Sequence, residues 1–181
     1  MSVTHGPDEA ARAPCLLDRM RAVVRARHFS ARAETGDPMV ILRPTRKLRT
    51  RLPVSSDPEP QSDTVLGDWY VNHVVIYRRP LLLLVSSAFL LAVLIPARDV
   101  RILPNRLAEI IAQRLARLGV ARKPVDAELE AMTQLHVAPP SDRSVLGIMV
   151  DYAKMLPAFL EPGFSDHSGL MGAEELLWDN D

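Results

Sequence analysis

Asp68, His73 and Asp151 are the residues of this chain whose types suit general acid–base work, since a carboxylate that orients an imidazole makes a common proton-transfer pair. Their spacing does not favour one site. Asp68 and His73 differ by an odd number, so on a regular strand they point to opposite faces, and His73 shares the face of Trp69 as a packing partner would. Arg143 and Ser144 stand where a helix is expected to begin, a place where free backbone N–H groups and a guanidinium attract an anion. An N-cap serine beside a surface arginine accounts for the same pair structurally. Arg43, Lys47 and Arg51 are four residues apart and align on one face if a helix runs through all three, giving either a phosphate-contacting stripe or an ordinary solvated face.

No glycine-rich phosphate loop, nucleophile elbow or His-Glu-x-x-His motif occurs, and no Cys/His cluster has zinc-ligand spacing. The sequence therefore names no reaction, and neither a cofactor nor a metal is expected. The reading that follows is a non-enzymatic binding or regulatory module. The alternative is an enzyme acting on a phosphate-containing substrate through Arg143 with Asp68, His73 or Asp151.

The elements that must position these residues are legible in part. Residues 39–43 form a short apolar run suited to a strand, and 45–52 resemble a basic helical turn closed by Pro53. Residues 53–64, rich in Pro, Ser, Asp and Glu, predict a loop. From Trp69 to Arg78 the side chains alternate as on a strand, with Trp69, Val71, His73, Val75 and Tyr77 on one face. Residues 80–97 carry no formal charge and approach the length of a membrane-spanning helix. Ser86-Ser87 at the centre and Pro80 and Pro96 at the borders favour two buried strands around a turn, 81–85 and 90–95. With the preceding strand they make a three-strand meander over about 68–96.

Helices follow. Pro104 opens one in which Leu107, Ile110, Ile111, Leu115 and Leu118 form the apolar stripe and Gly119 ends it. A second is expected near residues 124–135, and 135–138 can return to the sheet. A last helix, capped by Asp142 or Ser144, runs to about residue 160 with Pro157 shortening or kinking it. The fold class is α+β, with an antiparallel sheet covered by C-terminal helices.

Length and composition fit one domain over residues 39–161. The chain has 181 residues, 48% of them hydrophobic and 24% charged, an ordinary globular balance. Residues 1–38 read as an extension holding a basic amphipathic helix, with Met39 as a candidate initiator, and residues 162–181 as an acidic, mobile tail. The one cysteine, Cys15, excludes an internal disulfide and fits a reducing, cytoplasmic compartment. Net charge is zero, yet residues 1–52 sum to +6 and residues 122–181 to −7. Such polarity suits neutralisation within the molecule, a homodimer or a protein partner better than nucleic acid, and no membrane association is expected.

The ordered motifs Thr45-Arg46-Lys47-Leu48, Leu66-Gly67-Asp68-Trp69-Tyr70, Leu94-Ile95-Pro96-Ala97 and Arg143-Ser144-Val145-Leu146-Gly147 resemble an uncharacterised bacterial family defined as a domain of unknown function. The resemblance covers about residues 39–161. It implies a soluble domain beginning near Met39, since members commonly start there and are more polar through 80–97; Leu81 to Leu84 depart from that pattern. It implies no activity, cofactor or partner.

Overall fold

The computed structural model describes residues 37–159. The helix expected within residues 15–29 and the acidic tail lie outside them. Five strands form one sheet in the order β4-β3-β2-β1-β5, comprising β1 (Met39–Pro44), β2 (Trp69–Ile76), β3 (Arg79–Ser86), β4 (Ala92–Pro96) and β5 (Gln134–Val137). Three α-helices are described, α1 (Leu103–Arg117), α2 (Arg122–Glu130) and α3 (Arg143–Phe159).

The sheet is mixed, which corrects the antiparallel expectation. β2 pairs antiparallel with β3, and β3 with β4, but β1 runs parallel to both β2 and β5. Parallel neighbours need a long crossover, and residues 45–68 supply one between β1 and β2. Helices α1 and α2 supply the return to β5. The expected basic helix in 45–52 is reduced to a 3-10 turn at Arg46–Leu48, whose Leu48 side chain is buried. The crossover then folds back along the sheet. Ser55 N–H donates to Val137 O at 2.8 Å and Val137 N–H to Ser55 Oγ at 3.3 Å, so the loop covers the β5 edge.

The uncharged stretch 80–97 is divided between β3 and β4, and no helix runs through Ser86 and Ser87. Among the described residues no helix is long and apolar enough to cross a membrane. The two serines explain the break locally. Ser86 Oγ accepts Leu91 N–H at 3.0 Å and Ser87 Oγ accepts Asp68 N–H at 2.9 Å, which satisfies backbone donors where the strand ladder stops. Gly67 has φ +73, and a Cβ built on it would lie 2.4 Å from Ser87 Oγ, so this turn strongly favours glycine.

Both faces of the sheet are covered. Val40, Leu42, Trp69, Val71, Leu82, Leu84, Val93 and Ile95 pack with Leu103, Leu107, Ile111 and Leu115 of α1 and Val125 of α2. On the other side Tyr70, Val74, Ile76, Leu81, Leu83, Val85, Ala92 and Leu94 pack with Val145, Met149 and Leu156 of α3. A strand buried on both faces has no polar side to show, and this is why Leu81 to Val85 read as a continuous apolar run. Pro157 falls in the last turn of α3, which continues to Phe159.

Candidate functional site

Alternation along β1 sends Val40 and Leu42 toward α1, and Ile41 and Arg43 toward the α3 side. Arg43 is only 4% exposed and meets three acceptors. Its Nε donates to Asp68 Oδ2 and its Nη1 to Pro139 O, each at 2.6 Å, while Nη2 donates to Glu59 Oε1. The guanidinium carbon lies 6.0 Å from the ring centre of Tyr70, its cross-strand neighbour. Tyr70 Oη accepts Asp142 N–H at 3.0 Å and lies 3.3 Å from Ser141 Oγ. Asp142 Oδ1 in turn accepts Ser144 N–H at 2.7 Å, so Asp142 is the cap of α3.

Burial by itself would lower the Arg43 pKa, but the hydrogen bonds and charges of Glu59 and Asp68 outweigh it and hold the guanidinium above its ordinary value. Glu59 is held below the usual carboxylate range, chiefly by its hydrogen bond from Arg43 and slightly by the charge of His136. His136, buried on β5, pairs with Ile41 in the sheet register. The result is a closed polar clamp joining β1, the crossover loop, the start of β2 and the segment that enters α3. Its charges are satisfied by one another, which suits a clamp better than a proton-transfer site.

The residues expected to do chemistry are not brought together. Asp68 is engaged by Arg43, whereas His73 pairs with Leu82 on the α1 side, so the sheet lies between them. Asp151 is exposed on α3 and ion-paired with Lys154 at 3.5 Å. Arg143 is the first residue of α3 and exposed; Ser144 is not the cap, and its N–H is taken by the chain's own carboxylate. The helical face expected to align Arg43, Lys47 and Arg51 is not formed, because Arg43 is buried in β1 while Lys47 and Arg51 are exposed in and after the 3-10 turn. Among the described residues no group of three or more His, Cys, Asp or Glu is placed to hold a metal ion.

Sequence reasoning missed a second feature, the β2–β3 hairpin tip. The register runs to Ile76↔Arg79 and leaves Tyr77-Arg78 as a two-residue loop with φ of 48 and 66. Left-handed backbone at both positions defines a type I′ turn, in which Asn-Gly is the usual pair. Each non-glycine residue there costs roughly 1–2 kcal/mol. Tyr77 is 56% and Val75 62% exposed, and Arg78 and Arg79 are exposed beside them. Tyr77 Oη donates to Pro157 O at 2.8 Å, which fixes the tip against the last turn of α3.

The chain is thus a three-layer α+β domain with a mixed sheet between helices, a buried arginine clamp and a strained aromatic-basic hairpin tip. Residues 41–174 match the model of a domain of unknown function, DUF6933, and the chain belongs to that family. No curated protein and no solved structure matches it.

Proposed function

We propose that this is a non-enzymatic binding module of the bacterial cytoplasm whose β2–β3 hairpin engages an acidic segment of a protein partner. The observation that carries this reading is the strain at Tyr77-Arg78. Two bulky residues occupy a turn that glycine would fill at lower cost, and such outliers cluster where a side chain is needed for recognition. Tyrosine and arginine dominate the binding energy of protein interfaces, and here they stand beside a second exposed arginine, so an acidic partner segment is complementary. The single cysteine supports a reducing compartment. The enzyme alternative has less support, because His73 lies on the opposite side of the sheet from Asp68.

The test is a photo-crosslinking amino acid placed at position 77, compared with one at exposed position 154, in the native host. The module reading expects a discrete heterologous adduct from position 77 alone, lost when Arg78 and Arg79 are changed to Glu. Equal adducts from both positions, or adducts only between copies of this chain, contradict it.

A further inference from the structure

Arg114 lies in the last turns of α1 on the stripe that carries Leu103, Leu107 and Ile111, and that spacing turns its guanidinium toward the interior. It is 7% exposed. Its Nε and Nη2 are both buried and have no hydrogen-bond partner among the described residues. These two nitrogens are not an arbitrary pair. Their N–H groups lie on one edge of the planar guanidinium, the edge that receives two oxygens of a carboxylate or phosphate side by side. Burial, and after it the charge of Arg117, pushes its pKa below the usual arginine value. An uncompensated buried cation is strongly unfavourable, and an unpaired polar edge in a well-packed interior calls for a missing partner.

We propose that Arg114 anchors an oxyanion site on the inner face of α1, where its Nε–H and Nη2–H edge takes both oxygens of one carboxylate or phosphate group of a small ligand. The two nitrogens have no access to solvent, so only a small ligand, admitted by local opening around α1, can reach them. The site is independent of the hairpin.

The experiment is thermal melting of the full chain in chloride, acetate and inorganic phosphate at matched pH and ionic strength, for wild type, Arg114→Met and Arg114→Lys. A saturable rise of several degrees with phosphate or acetate is expected in wild type, and the arm that produces it identifies the oxyanion. Arg114→Met should abolish the rise while melting no lower than wild type in chloride, because it removes an unpaired buried charge. Arg114→Lys should keep only a small part of the rise, lacking the two-pronged edge. Line broadening of the phosphorus-31 signal of inorganic phosphate, or of the methyl proton signal of acetate, by wild type gives a second readout that does not depend on the variants folding. Absence of any anion-dependent rise in wild type, or the same rise in Arg114→Met, overturns the proposal.

Discussion

Arg43→Met tests the polar clamp. The substitution keeps a long apolar stem in β1 and removes the guanidinium, so Asp68, Glu59 and Pro139 O lose their shared donor. Removing one partner of a buried charge pair costs about 3–5 kcal/mol when the remaining charge stays buried. Here the figure is set mainly by Asp68, 19% exposed, because Glu59 at 43% rehydrates and contributes under about 1 kcal/mol after solvent screening. Loss of about 3 kcal/mol is expected, or roughly 12 °C for a domain of this size at about 4 °C per kcal/mol. Urea unfolding followed by circular dichroism gives the value directly. Glu59→Gln should cost less than about 1 kcal/mol in the same assay. The reasoning is refuted if Arg43→Met costs under about 1 kcal/mol, or if Glu59→Gln costs as much as Arg43→Met.

Three further outcomes follow from particular contacts. Glu59 has a lowered folded pKa, so its contribution is complete above its unfolded value of about 4.3 and is lost as pH falls through the folded value; the stability gap between wild type and Glu59→Gln, measured by urea unfolding, should therefore close at acid pH. Glu128 accepts Val65 N–H at 2.8 Å and Leu66 N–H at 3.1 Å on its two oxygens, so Glu128→Gln should lose one bond and about 1–2 kcal/mol, and Glu128→Ala about 2–4 kcal/mol, by the same denaturation assay. Gly67→Ala should destabilise by about 2–3 kcal/mol or more, since it adds both left-handed strain and a 2.4 Å contact to Ser87 Oγ; a melting temperature within a degree of wild type contradicts the turn geometry.

Much of the architecture was legible because its signals are local. Alternation marked β2, the proline at the start of α1 and the glycine after its end marked that helix, and two serines divided the leucine-rich stretch into β3 and β4. The direction of β1 was not legible, since parallel pairing depends on the path of residues 45–68, whose composition says only loop. Arg43 was read as a surface cation because its partners Asp68, Glu59 and Pro139 are 25, 16 and 96 residues away in sequence. Glu128 had a readable signal: it lies three residues after Val125 on the buried stripe of α2. The Tyr77-Arg78 turn had none, because it lacks the glycine or asparagine by which such turns are recognised. Arg114 also had a signal, a cation at an apolar stripe position of α1, where arginine is uncommon without a partner.

The hairpin reading is tested most directly by Arg78→Gly, which relieves the left-handed strain at that position while removing a recognition side chain. A gain of about 1 kcal/mol, near 4 °C in melting temperature, is expected, together with loss of the crosslinked species from position 77. A variant that melts below wild type, or one that is stabilised and still crosslinks in full, contradicts the account.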